Sequence, residues 1–121
     1  MSGWRCGGVV FRYPDASRPA LDGVSMEAPA GGCTAVLGPN GSGKSTLLRI
    51  LLGTLPPARG EAEFDDRPLA RWDRAELARA VGVVPQGEEI AFPLTVRELV
   101  EMGRYPHLGS WRRPGPDDVR A

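Results

Sequence analysis

Gly38-Pro39-Asn40-Gly41-Ser42-Gly43-Lys44-Ser45-Thr46 decides how this chain folds, because it matches the phosphate-loop pattern Gly-x-x-x-x-Gly-Lys-Ser/Thr. The pattern has a mechanism. Backbone N–H groups of a glycine-rich turn converge on a phosphate where no Cβ obstructs the approach, and a following helix adds the positive end of its dipole. Gly38, Gly41 and Gly43 supply that freedom. Lys44 offers an ammonium as a compact charge with three donors, suited to the space between β and γ phosphates, whereas a planar guanidinium is too large for an enclosed loop. The Ser45 hydroxyl suits Mg²⁺, and Thr46 brings a second hydroxyl near the α phosphate. The bland alternative is a glycine-rich strand-to-helix connection with an incidental lysine. Composition argues against it, since of 15 lysines and arginines Lys44 is the only lysine. Asn40, in the same loop, is the only asparagine, and Gln86 is the only glutamine. Residues that a chain otherwise avoids are retained where chemistry needs them.

The flanks fit the loop. Thr34-Ala35-Val36-Leu37 is a short apolar run between glycines and predicts a buried strand, and Ser45 to Leu52 predicts an apolar helix stopped at Gly53. Further upstream, Gly8-Val9-Val10-Phe11-Arg12-Tyr13 predicts a strand ending at Pro14, and Gly23 to Ala28 predicts a second. Downstream, Pro56 to Gly60 breaks the chain, and Glu61 to Asp65 predicts an edge strand with one apolar face. Asp73 with Glu76 signals a capped helix through Leu77, Ala78 and Val81, after which Val81-Gly82-Val83-Val84 predicts another buried strand. Thr95 with Glu98 repeats the capping pattern and opens a helix to Gly103, followed by a loop from Arg104 to Gly115. A last helix starts at Pro116-Asp117-Asp118, and the sequence stops within a turn of it, so the expectation is part of a longer domain.

With 121 residues and ordinary apolar and charged fractions, the chain predicts one globular domain. A formal net charge of zero leaves no electrostatic footprint for nonspecific nucleic-acid binding. Cys6 and Cys33 lack metal-ligand spacing and are too few for a disulfide framework, so both read as small buried hydrophobes in a reducing compartment. No apolar run is long enough to span a membrane, and no signal-peptide core follows Met1. The expectation is a cytoplasmic protein with no covalent membrane anchor, linked to a membrane only through a partner.

The residues from Gly38 to Leu48 closely resemble the phosphate loop of ABC transporter ATP-binding subunits. The resemblance implies an α/β, P-loop NTPase core with an antiparallel β subdomain and the start of a helical subdomain, in truncated form. It divides the chain into a nucleotide-binding core over 1–92 and the first part of the helical subdomain over 93–121. It also implies ATP and Mg²⁺ as cofactors, with Gly38, Pro39, Asn40, Gly41, Ser42, Gly43, Lys44, Ser45 and Thr46 holding the phosphates and Ser45 the metal. Tyr13 falls where the family places an aromatic that stacks on adenine, a role that suits a ring face with a wet hydroxyl. The alternative is an end-of-strand tyrosine that caps the core. Gln86, after Val83-Val84-Pro85, is similar to the Q-loop glutamine, whose amide reaches Mg²⁺ and the attacking water and couples nucleotide state to the membrane subunit. A solvated turn residue is its bland reading.

Gly103-Arg104-Tyr105-Pro106-His107, following Pro93 to Val100, is similar to the iron-siderophore, haem and cobalamin uptake ATPases. His107 has no second ligand near it in sequence and is not read as a metal site. The partners implied are transmembrane permease subunits and, in a full-length form, a second ATP-binding subunit in a homodimer. The location implied is peripheral, at the inner face of the cell membrane. The chain lacks a Leu-Ser-Gly-Gly-Gln signature, an aliphatic run ending in Asp-Glu and a switch histidine. A loop without a base or water-positioning group binds nucleotide without cleaving it, so hydrolysis by these residues alone is not expected. Two rivals differ in class. A P-loop kinase would leave Tyr13 and Gln86 without roles, and a regulatory, non-translocating domain would hold nucleotide as a structural ligand. A GTPase reading fails on the Asn-Lys-x-Asp motif, because the one asparagine and the one lysine already lie in the loop.

Overall fold

Two adjacent glycines, Gly7 and Gly8, set the geometry of the first strand. In the computed structural model, which describes residues 2–87, 92–109 and 113–121, β1 runs over Gly3–Phe11. The sequence places its start at Gly8. The strand instead absorbs the two glycines as a bulge: Gly8 adopts φ 59°, and the register with the next strand shifts between Cys6 and Val9. The extra residue restores the inward alternation, so Cys6 and Val9 both reach the core.

β2 covers Leu21–Pro29 and pairs antiparallel with β1, with a second irregularity where Gly23 takes φ 76°. β3 covers Arg59–Phe64 and β4 only Arg67–Pro68, giving the sheet order β2-β1-β3-β4. β3 is therefore not an edge strand as the sequence predicts. It pairs with β1 along its length and with β4 at Glu63 and Phe64, while its apolar face, Ala62 and Phe64, is buried as expected. Asp65 belongs to the turn that follows, where Asp65 and Asp66 both adopt positive φ, the requirement of a tight two-residue hairpin loop. Gly60 is fixed by close approach: a Cβ there would lie 2.4 Å from the Gly7 carbonyl oxygen.

α1, Lys44–Leu51, lays Leu47, Ile50 and Leu51 onto Cys6, Val9, Leu21 and Ala62 to form the core. Its C-terminus closes as the sequence predicts. Gly53 at φ 72° lets its own N–H reach the Ile50 carbonyl and the Thr54 N–H reach that of Arg49, two bonds that end the helix with its carbonyls satisfied. The Trp4 Nε1–H donates to the Leu51 carbonyl at 3.0 Å, tying β1 to the same helix end. Trp4→Phe keeps an aromatic ring beside Phe64 but removes this bond and part of the indole's packing, so the bond sets the lower bound of the loss. Urea denaturation should show a loss of at least about 0.5–1.5 kcal/mol.

The chain divides into two compact units, 1–72 and 73–121. In the second, Asp73 caps α2 (Arg74–Ala80) by accepting from the Ala75 N–H. Thr95 and Glu98 form the full reciprocal capping box of α3, Val96–Glu101. A 3-10 stretch, Met102–His107, continues from α3 where the sequence predicts helix only to Gly103 and then loop. The Arg79 Nε–H donates to the Pro106 carbonyl at 2.7 Å and holds that stretch to α2. α4 spans Pro116–Arg120, with the Gly115 N–H and the Arg104 Nε–H both donating to Asp118.

Hydrogen bonds from Thr95 to the Glu98 carboxylate hold its pKa below the ordinary value, the backbone N–H first and the hydroxyl second. A depressed folded pKa contributes stability above the unfolded pKa and loses it as pH falls through the folded one. The helicity of α3 should therefore decline below the ordinary carboxylate range. A Glu98→Gln variant, followed by NMR, should lose that pH dependence.

Two predicted buried strands are overturned. Residues 34–37 and 81–84 form no strand, with Leu37 89% and Val84 96% exposed. A short apolar run becomes a strand only when a neighbour supplies its ladder of hydrogen bonds, and among the described residues none pairs with either run. The reading of both cysteines as buried is also corrected. Cys6 is buried, and burial pushes its thiol pKa up, but Cys33 is exposed on the irregular segment after β2.

Candidate functional site: the phosphate loop and its tyrosine

The loop from Gly38 to Gly43 leads into α1, whose first helical residue is Lys44. Gly43, at the N-cap position, adopts φ 97°, and a Cβ there would meet the Ala20 carbonyl oxygen at 2.5 Å and Leu21 Cδ2 at 2.9 Å. Only glycine satisfies both the dihedral angle and the contact. At Gly38 the constraint is softer: a Cβ would lie 2.7 Å from Ser42 Oγ, a side-chain atom that can rotate away. Gly41 has φ 82° but open space around it, so it serves the turn alone. The Ser42 N–H donates to the Pro39 carbonyl at 3.2 Å and closes that turn, with Asn40 exposed at its tip.

Lys44 folds back over the loop. Its Nζ donates to the Gly38 carbonyl at 2.6 Å, the Pro39 carbonyl at 2.8 Å and Ser42 Oγ at 3.4 Å. Loop oxygens thus hold the ammonium over the loop, and a phosphate that enters would take the place of one or more of them as acceptor. The N-terminus of α1 carries no acidic residue in its first turn and no side-chain cap. Its leading N–H groups and the positive end of the dipole remain available to an acceptor, which is the donor set that a polyphosphate requires.

Ser45 is exposed at this end of the helix. Among the described residues no three His, Cys, Asp or Glu side chains cluster as a metal site. A hydroxyl such as that of Ser45 matches Mg²⁺, which keeps several waters and takes few protein ligands alongside phosphate oxygens. Thr46, by contrast, is buried at 5% exposure, and its Oγ1 lies 3.1 Å from the Tyr13 hydroxyl.

This bond is the feature the sequence did not yield. Tyr13 is half-buried, its ring set edge-on to Phe11 at a centroid distance of 5.0 Å. Its hydroxyl, expected to face water, also has Thr46 as a partner. The structure brings together Tyr13, the loop and the first turn of α1 within the first unit. Ala20 and Leu21, which wall Gly43, were not read from sequence as part of the site, since only the fold lays the start of β2 against the loop. Gln86 belongs to the second unit, where it is exposed in the irregular segment after α2. His107 is exposed in the 3-10 stretch. No described helix is long and apolar enough to cross a membrane.

Comparison with known proteins extends this picture. A family model described as ABC transporter matches residues 21–119. The chain is 43% identical over 120 residues to the hemin import ATP-binding protein HmuV of Nocardia farcinica (strain IFM 10152), covering 97% of this chain and 42% of that protein. It is 51% identical over 90 residues to the protein of the same name from Thermobifida fusca (strain YX), covering 74% and 32% respectively. The chain therefore spans less than half the length of these curated relatives. Among solved structures, an ABC transporter in an inward-facing conformation superposes with a TM-score of 0.76 at 28% identity, over 98% of this chain and 41% of the other. The loop built on Lys44 lies within the matched residues, and the chain belongs to the ABC transporter family.

Proposed function

We propose that this chain is the nucleotide-binding front part of an ATP-binding subunit that powers import, with haem the favoured cargo and iron-siderophore or cobalamin the related alternatives. The observation that carries the reading is the Lys44 ammonium gathered over a glycine loop at an uncapped helix N-terminus. Relatives named for hemin import support the cargo. ATP binding supplies the free energy that biases a two-state assembly, here an ATP-binding subunit and its partners. Lys44 and the N–H groups of the loop hold the β and γ phosphates, Thr46 faces the α phosphate, and Tyr13 offers its ring to the base. Ser45 holds Mg²⁺, with the Gln86 amide as its second protein ligand and as the residue that couples nucleotide state to the membrane subunits. Residues 1–92 form the core and 93–121 open the helical subdomain. The partners are transmembrane permease subunits at the inner face of the cell membrane, and a second copy of the full-length subunit.

Titration of this chain with a fluorescent ATP analogue, with and without Mg²⁺, tests the binding reading. Binding should strengthen with Mg²⁺ in the wild type and lose that dependence in Ser45→Ala, while no steady ATP turnover is seen. Binding that is indifferent to Mg²⁺ in the wild type would remove Ser45 from its role. The cargo is tested in cells expressing the full-length protein, where a Lys44→Ala allele should abolish growth on haem as sole iron source but spare growth on ferric salts.

A further inference from the structure

We propose that Tyr13 is a positioning residue for the phosphate side of the nucleotide site, acting through Thr46, in addition to any contact of its ring with a base. The inference rests on the nucleotide-binding reading above and concerns how the site is held ready. Three observations carry it. Thr46 is the buried polar residue among those described, its Oγ1 is 3.1 Å from the Tyr13 hydroxyl, and Phe11 packs edge-on against the Tyr13 ring at 5.0 Å.

Proton inventory fixes the direction of this bond when phosphate is present. Phosphate oxygens only accept, so a threonine hydroxyl that faces them must donate its one hydrogen outward. Its lone pairs are then left for a donor, and Tyr13 O–H is the group at hydrogen-bonding distance. The order becomes Tyr13 O–H to Thr46 Oγ1, then Thr46 O–H to the ligand, a series in which each bond polarises the next. A threonine in the first turns of a helix otherwise turns its hydrogen back to the carbonyl three or four residues earlier, which here means Gly43 or Ser42. A Tyr13 O–H that donates to the Thr46 oxygen holds Oγ1 in place and polarises its O–H, which favours a charged phosphate acceptor over the neutral helix carbonyl. The tyrosine thus links the base side of the site to its phosphate side through one hydroxyl pair, and Phe11 holds the ring where the link can form.

Inorganic tripolyphosphate separates this role from stacking, because it has no base. Affinity of the 121-residue chain for Mg-tripolyphosphate and for Mg-ATP is measured by calorimetry, with circular dichroism to establish that each variant is folded. Tyr13→Phe keeps the ring, and it should weaken both ligands by about three- to tenfold. Thr46→Val should weaken them by a similar factor, and Tyr13→Phe added to Thr46→Val should cost nothing more, since the two residues act in series. A Tyr13→Phe variant that holds tripolyphosphate as tightly as the wild type overturns the proposal, as does an undiminished loss in the Thr46→Val background. Wild-type chain that binds neither ligand overturns the nucleotide-binding reading itself, and this proposal with it.

Discussion

Replacing Lys44 with alanine should lower Mg-ATP affinity by about 10- to 100-fold, the range expected when a charge-assisted hydrogen bond of about 1.5–3 kcal/mol is removed. The side chain's hydrogen bonds go to loop oxygens at Gly38, Pro39 and Ser42, at an exposed site. Removing them costs the folded state little, because water can replace a lysine at an exposed carbonyl. Binding and stability should therefore separate, with the urea midpoint close to wild type and the titration with fluorescent nucleotide sharply weakened. Lys44→Arg should not restore affinity. The guanidinium keeps the charge, but its planar fork does not fit the space between the Gly38 and Pro39 carbonyls that an ammonium spans. Equal affinity in wild type and Lys44→Ala would falsify the assignment of the loop as the phosphate site.

Gly43→Ala should act in the opposite way, through the fold first. Residue 43 sits at φ 97°, and an added Cβ lands 2.5 Å from a backbone oxygen, Ala20 O, which cannot swing aside as a flexible side chain would. Left-handed strain and forced displacement each cost about 1–3 kcal/mol, so a combined loss of about 2–6 kcal/mol is expected. Gly41→Ala provides the control. Its φ is 82° but nothing lies within 4 Å, so it carries the dihedral cost alone, about 1–2 kcal/mol. The ordering Gly43→Ala well below Gly41→Ala in urea stability checks the argument. Equal losses would show that the contact with Ala20 is not maintained.

Much of both units was legible in sequence where the signals are local. The loop pattern, the glycine that ends α1 and the Thr95-Glu98 capping box each need only a few neighbouring residues to act, and each is present where the sequence places it. The signals that failed were those that need a distant partner. The first strand reads as starting at Gly8 until β2 and β3 pair with the residues before it, and Val83-Val84 reads as a strand until no neighbour is found for it among the described residues. Cys33 was placed inside by residue type alone, though the irregular segment that carries it leaves it exposed.

The sequence by itself determined the parts of the proposed site: a single lysine in a glycine loop, hydroxyls beside it, and a helix whose N–H groups follow, because a phosphate loop is built from contiguous residues. Tertiary structure alone decided what that loop leans on. Only the packing of α1 on the sheet brings Tyr13 to Thr46 across the intervening chain and sets Gly43 against Ala20, since hydrogen bonds and steric contacts between remote residues leave no trace in local pattern.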